Sequence, residues 1–354
     1  MPTKRRRETN GRRPAERSRF RWESLSERSL LGVRICDLGL KIEGTWLEDA
    51  VQEVYGELER RGLRLRPHVW LSQEWFSPTG VPGVAIPFYL AHPRLWRLER
   101  KQMLEVEGGT RGECLRILRH EFGHALQHAF RLQRRRRWHQ LFGSPAKKYP
   151  EYYRPNPASR RCVQHLRLYY AQSHPVEDFA ETFAVWLQGS AAWRRRYRGW
   201  PALKKLEYVD ELVGELRDTL PLVRGRKRVE PLRELRITLG EYYREKQKHY
   251  TTEHPDIYDR DLRRIFSAEP KDRKAELASV FLRRNRREIR QLVARWTGEY
   301  QFTLDQVLSD IIGRCRELKL RAVGSERRLR VDFAVLLTVQ TMHFLYNRRN
   351  WIAL

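Results

Sequence analysis

Cysteine is scarce in this chain. Four cysteines are spread over 354 residues, at Cys36, Cys114, Cys162 and Cys315. None belongs to a C-x-x-C pair, which excludes a zinc ribbon and a dithiol redox motif. Isolated thiols without a disulfide framework are typical of proteins in a reducing compartment.

Long apolar runs are also absent. No stretch reaches the roughly 18 apolar residues that a membrane-spanning helix needs, and the longest candidate, 333–345, is better explained as a buried helix. The basic start of the chain is not followed by an apolar signal segment, because Arg34 and Asp37 interrupt residues 30–40. We therefore expect no membrane span and a cytoplasmic location.

Acidic side chains are too few to balance the basic ones, with 44 Asp and Glu against 71 Lys and Arg and a net charge of +27. Such an excess favours an acidic partner, and nucleic acid is one candidate. The basic residues are nevertheless spread along the chain, as on solvated helix faces. The strongest candidate for a basic contact surface is a helical face that carries Arg283, Arg286, Arg287 and Arg290.

The chain does contain the pattern H-E-x-x-H, at His120, Glu121 and His124. A capping box of Thr110 and Glu113 precedes it, and apolar residues then recur every three or four positions, which predicts a helix. Two histidines four apart share a helix face and can bind one zinc ion. The adjacent glutamate can then take a proton from a water that the ion activates. The alternative is a surface helix that carries these residues by chance.

A glycine lies inside this motif, at Gly123. Glycine costs about 1 kcal/mol relative to alanine in a helix interior. Its presence predicts that another backbone approaches the motif helix closely at this point.

A catalytic zinc site usually has three protein ligands. The pattern H-E-x-x-H-x-x-G-x-x-H is excluded, because positions 127 and 130 hold Gln127 and Phe130. His128 lies too far along the helix to join the other two histidines on one ion. We therefore expect it in a supporting position or on the surface.

A second predicted helix, which begins at Pro175, offers the missing ligand. Glu177 and Glu181 share one of its faces, and the small Ala180 and Ala184 beside them would allow close packing near the motif helix. We predict Glu177 as the third ligand. We predict that Glu181 accepts a hydrogen bond from the free nitrogen of a ligand histidine. The alternative is that these acids only complement the helix dipole.

Together, H-E-F-G-H and E-D-F-A-E-T-F-A resemble the motifs of the gluzincins, zinc peptidases with two His and one Glu ligand. In detail they resemble a bacterial family of zinc-binding metallopeptidases and the lethal-factor type of catalytic motif, over about residues 30–200. The resemblance implies Glu177 as ligand and Glu181 as its supporting acid. It also implies that a tyrosine at the position of Tyr170 assists catalysis, with Tyr169 as the alternative.

The order of predicted elements indicates an α+β fold. We expect a disordered basic tail over residues 1–25, a zincin-like metallopeptidase domain with a small sheet and the active-site helices over 26–200, and a mostly α-helical C-terminal domain over 201–354. Strands are predicted at 32–40, 63–71 and 84–90, the last as an edge strand for an extended peptide substrate. A Pro- and Tyr-rich loop at 144–160 could cover a cleft.

The function that we predict is zinc-dependent hydrolysis of a peptide or protein substrate, with Glu121 as general base. Tyr170 or His174 would stabilise the oxyanion. One alternative is a basic protein that binds nucleic acid or an anionic surface and carries a structural zinc site. The other alternative is an inactive scaffold. Glu121 favours the enzyme, because zinc binding alone does not require it.

Overall fold

The structure is a computed structural model that describes residues 20–150, 152–153, 155–189, 192–250, 259–347 and 352–353. It is mostly helical with a small parallel sheet, which confirms the predicted α+β class and the helical C-terminal region. The helices are α1 (Glu27–Leu31), α2 (Trp46–Arg60), α3 (Pro93–Met103), α4 (Arg111–Phe130), α5 (Arg136–Phe142), α6 (Pro175–Leu187), α7 (Ala192–Arg196), α8 (Ala202–Leu216), α9 (Leu239–His249), α10 (Asp259–Ile265), α11 (Ala278–Thr297), α12 (Gln301–Glu317) and α13 (Glu326–Asn347). The strands are β1 (His68–Ser72), β2 (Gly83–Pro87), β3 (Tyr152–Tyr153) and β4 (Ile352–Ala353).

The small sheet pairs β1 with β2 in parallel, with Leu71 opposite Ile86. On its other side β2 forms an antiparallel bridge, in which the Ala85 N–H donates to the Phe76 carbonyl at 2.8 Å. The predicted edge position of this strand is therefore wrong, because the segment around Phe76 covers it. β3 and β4 form a separate antiparallel pair.

The strand predicted at 32–40 is also wrong. Residues Ile35–Leu38 form a 3₁₀ turn, which ends at Gly39 in the left-handed region. The N–H groups of Ile35 and Cys36 donate to the carbonyls of Ile237 and Leu235 instead of to a neighbouring strand of the sheet. A short apolar run does not distinguish these two outcomes.

Helix α4 is the centre of the molecule. The Thr110 side chain accepts a hydrogen bond from the Glu113 N–H at 3.3 Å and caps its start, as predicted. The other half of the predicted capping box is absent, because the Glu113 side chain pairs with Arg167 instead of with the Thr110 N–H. Every residue from Ile117 to Phe130 is buried, since α2, β2 and α6 surround the helix. A helix buried on all sides can carry the site only if its polar residues face a cleft or have partners.

Helices α4 and α6 approach each other closely at Gly123. A Cβ atom at Gly123 would lie 2.9 Å from the Cα of Ala180 and 3.1 Å from its carbonyl oxygen. The contact predicted from the glycine in the motif is therefore present. It fixes the distance between the two helices that carry the predicted ligands.

The buried apolar residues form two cores. The first extends from Trp22 to Tyr243 and includes α8 and α9, while the second extends from Leu262 to Leu337. Helices α8 and α9 therefore pack with the first core, and the division of the chain at residue 200 stays a prediction. Near the start of the described chain, Trp22 is buried and its indole N–H donates to the Leu38 carbonyl at 2.9 Å. Residues 1–19 lie outside the described part of the chain.

The second core belongs to a bundle of α10 to α13. Arg286 and Arg290 both donate to Asp305 on α12, at 2.6–2.7 Å. The predicted four-arginine face is therefore partly neutralised inside the bundle, and Arg283 and Arg287 alone of the four remain exposed. Among the described helices, none combines the length and the hydropathy required to cross a bilayer.

Candidate metal centre

Side chains from α4 and α6 converge on one point. The Nε2 atoms of His120 and His124 are 3.1 Å apart, and the Oε2 atom of Glu177 lies 3.0 Å from the first and 3.1 Å from the second. All three side chains are buried. Three ligands about 2.0–2.1 Å from a tetrahedral zinc ion are about 3.3 Å apart, so this group fits such an ion with shifts of a few tenths of an ångström. Within the described ranges, no other group of three or more His, Cys, Asp or Glu side chains is close enough to hold a metal ion.

Glu181 forms a hydrogen bond with His120 on the side of the ring opposite to Nε2. His120 Nδ1 donates to Glu181 Oε1 at 2.8 Å, and Glu181 Oε2 accepts from the Leu166 N–H, also at 2.8 Å. This arrangement leaves the Nε2 lone pair of His120 directed at the converging group. The structure thus brings Glu181 to the position that the sequence predicted.

The ionisable side chains of this group shift one another's pKa. Burial by itself would raise the pKa of Glu177, but His124 and His120 hold it well below its usual value. Burial would lower the pKa of His120, while Glu177 and Glu181 raise it well above its usual value. In the metal-free chain these directions favour a protonated His120 beside an ionised Glu177, and a metal ion bound at Nε2 would displace that proton.

Glu121 is next to this group and has an unused acceptor. Its side chain is buried, and its Oε2 atom has no hydrogen-bond partner within the described part of the chain. Burial raises the pKa of Glu121, and the neighbouring His120 and His124 act in the opposite direction. A buried carboxylate oxygen without a protein partner needs an explanation, and accepting a proton from water would be one.

The candidate tyrosines take different positions. The ring of Tyr170 lies 5.6 Å from that of His120, after a tight turn in which Leu168 and Tyr169 have φ angles of 57° and 58°. Both candidates line the cleft, but Tyr170 is the one whose ring contacts a predicted ligand. His174 uses both of its nitrogens elsewhere, since Nδ1 accepts from the Val176 N–H and Nε2 donates to the Lys147 carbonyl. A role for His174 at the oxyanion is therefore not supported.

Sequence reasoning missed Tyr149. Its hydroxyl donates to the Oε1 atom of Glu177 at 2.6 Å. The only signal in the sequence was the unusual number of tyrosines and prolines in residues 144–160. Such a composition does not reveal which side chain contacts the ligand group, and Tyr149 makes this contact while it remains 46% exposed.

A cleft of about 1770 Å³ surrounds the group. It is lined by the segment around Phe76, by α4, by Tyr149 and residues 166–170, by α9, and by the end of α11 with the connection to α12. Trp296, in the last turn of α11, is 76% exposed and lines the cleft. The helical C-terminal region therefore contributes a wall to the candidate site.

The residue pattern of this site agrees with a known family. Residues 98–194 match the family model described as "Putative zinc-binding metallo-peptidase". This span contains α4 and α6, and thus all three members of the His120, His124 and Glu177 group. The resemblance inferred from the two motifs is confirmed, and it supports zinc-dependent proteolysis in general. No curated protein and no solved structure matches the chain.

Proposed function

We propose that this protein is a zinc peptidase of the H-E-x-x-H…E gluzincin type, whose metal ion is held by His120, His124 and Glu177. The observation that carries the proposal is the convergence of three ligand atoms within 3.0–3.1 Å of one another, with an unpartnered Glu121 oxygen beside them. Two His and one Glu are a usual ligand set for catalytic zinc, which keeps one position for water or substrate.

Zinc, when bound, supplies a Lewis acid that makes water nucleophilic near neutral pH and polarises the peptide carbonyl. Glu121 takes one proton from the water as its oxygen attacks the carbonyl carbon. Glu121 then returns the proton to the amine nitrogen as the carbon–nitrogen bond breaks. Tyr170 donates its hydroxyl hydrogen to the carbonyl oxygen, on which negative charge develops.

Glu181 acts through His120 in this mechanism. Its Oε1 atom accepts the Nδ1 hydrogen of His120 and fixes the orientation and the tautomer of the ring. The acceptor is itself held in place by the Leu166 N–H. Substrates are peptides or proteins that reach the cleft between α4 and the α11–α12 connection. The cytoplasmic location stays a prediction.

The competing function is binding of nucleic acid or an anionic surface around a structural zinc site. A structural site usually has four protein ligands. No fourth His, Cys or carboxylate joins the group within the part of the chain that the structure describes. The unpartnered Glu121 oxygen likewise favours catalysis over the inactive scaffold.

The test compares the wild-type chain with Glu121→Gln, both loaded with zinc, on a peptide library read by mass spectrometry. We expect Glu121→Gln to keep its zinc and to lose hydrolysis by at least about 100-fold, because the amide cannot accept the proton. The matched control is Glu215→Gln, the same chemical change on an exposed part of α8.

Two results would count against the proposal. One is a zinc-loaded Glu121→Gln chain that retains full activity. The other is a zinc-loaded wild-type chain that cleaves no peptide of the library and instead binds RNA or DNA with a strong dependence on salt.

A further inference from the structure

The carboxylate of Glu177 has two oxygens with different partners. Oε2 faces the two Nε2 atoms of His120 and His124, at 3.0 and 3.1 Å. Oε1 accepts the hydroxyl hydrogen of Tyr149 at 2.6 Å. Oε2 is therefore available to a metal ion. Oε1 is engaged by Tyr149, which lies outside both helices that carry the ligands.

The ring of Tyr149 stacks on the ring of His174, and this contact orients its hydroxyl towards Glu177. The two rings are stacked with centroids 3.8 Å apart and planes 15° apart. His174 is itself buried and joins two segments. Its Nδ1 accepts from the Val176 N–H at the start of α6, and its Nε2 donates to the Lys147 carbonyl at 2.7 Å. The residue that caps the ligand helix therefore also fixes the loop that carries Tyr149.

The path of this loop is set at its start. Gly143 follows the last residue of α5 and has φ 106° and ψ −166°, a backbone conformation that residues other than glycine rarely adopt. A Cβ atom there would contact Pro175 at 3.4 Å. The start of the loop that carries Tyr149 therefore lies close to Pro175, the first residue of α6.

We propose that Tyr149 is a positioning residue of the metal centre, which limits Glu177 to one coordinating oxygen and fixes the direction of that oxygen. The inference rests on the proposed function, because it assigns the His120, His124 and Glu177 group to a metal ion. Without the hydroxyl, Glu177 can rotate about its side-chain bonds or offer both oxygens. Loss of a partner that orients a metal ligand usually costs about 10–100-fold in metal affinity.

The proposal gives Tyr149 and Tyr170 different roles. The hydroxyl of Tyr149 is committed to a ligand, whereas that of Tyr170 has no hydrogen-bond partner among the described residues and can meet a substrate. Removal of the first hydroxyl should therefore act on metal binding, and removal of the second on turnover. This difference provides a matched pair of substitutions, each of which deletes one oxygen.

The experiment measures zinc affinity of the full chain by competition with a chromophoric chelator, for wild type, Tyr149→Phe and Tyr170→Phe. We expect Tyr149→Phe to lower the affinity by about 10–100-fold. The phenyl ring keeps the stacking on His174, so the metal-free chain should still fold and should lose no more stability than one hydrogen bond to a carboxylate contributes. Tyr170→Phe should bind zinc as the wild type does. Cobalt substitution adds a spectroscopic readout, since visible absorption weakens when a second carboxylate oxygen joins the ion.

An affinity of Tyr149→Phe within about twofold of wild type, with an unchanged cobalt spectrum, would overturn the positioning role. Because the His174 ring holds Tyr149, His174→Asn, which keeps a side-chain acceptor for the Val176 N–H, should reduce the affinity in the wild-type background and add little in the Tyr149→Phe background. Full additivity of the two losses would also overturn the inference. Failure of the proposed function would look different, because the wild-type chain would then bind no zinc or would bind it equally well after Glu177→Ala.

Discussion

Gly123→Ala is the perturbation that links the packing of the fold most directly to the metal centre. The new methyl group would meet the backbone of Ala180 at 2.9–3.1 Å, where ordinary contacts are 3.4–4 Å. Since backbone atoms cannot swing aside, α4 and α6 must separate by roughly half an ångström, as follows from the limited tolerance of packed interiors. His120 and His124 lie on one side of that separation and Glu177 on the other.

The expected magnitude combines two opposing terms. Alanine improves the helix propensity by about 1 kcal/mol, whereas overpacking of an interior costs about 1–3 kcal/mol. We therefore expect a net loss of about 1 kcal/mol in the unfolding free energy of the metal-free chain. We also expect weaker zinc binding, because the two ligand helices move apart. Urea unfolding measures the first effect and chelator competition the second.

The control is Gly56→Ala, in the interior of α2. A Cβ atom there meets nothing within 4 Å, so only the propensity term applies and the chain should become more stable by up to about 1 kcal/mol. A Gly123→Ala chain that is as stable as Gly56→Ala and binds zinc with unchanged affinity would contradict this expectation. That result would mean that the two helices are not held at the distance that the glycine requires.

Two further predictions concern the surroundings of the site. Glu181→Gln should weaken zinc binding by about 10–100-fold, measured by the same competition, and equal affinity would argue against an orienting role. Burial, with a smaller effect from His124, lowers the pKa of His128 from 6.5 to about 4. As pH falls from 6.5 towards 4, the unfolded chain takes up this proton before the folded chain does, so His128 lowers stability by up to about 3 kcal/mol. His128→Gln should flatten this loss in urea unfolding of the metal-free chain, and an unchanged pH profile would contradict the burial of a neutral ring.

The sequence predicted those parts of the site that depend on local rules. The spacing of His120 and His124, the cap at Thr110 and the glycine contact of α4 follow from helix geometry, which a short segment carries by itself. Glu177 and Glu181 were found because the same periodicity places them on one face of a second helix. The structure brings these residues together as the periodicity suggested, and their roles at a metal ion stay proposals.

The features that the sequence did not reveal depend on the path of the chain. Tyr149 lies in an irregular loop, whose direction is set by Gly143 and by the stacking on His174. No periodicity identifies such a contact. The neutralisation of Arg286 is equally non-local, since Asp305 comes from the next helix. Amphipathic helices also look alike in sequence, so the pattern could not show which of the two cores α8 and α9 would join.

The most direct test of the central claim is the metal content of the purified wild-type chain and of Glu177→Ala, measured by mass spectrometry. The proposed site predicts about one zinc ion per wild-type chain, and little or none after the loss of a ligand. Zinc retained in full by Glu177→Ala would show that Glu177 is not a ligand. A wild-type chain that binds no metal even when zinc is supplied would contradict the metal centre altogether.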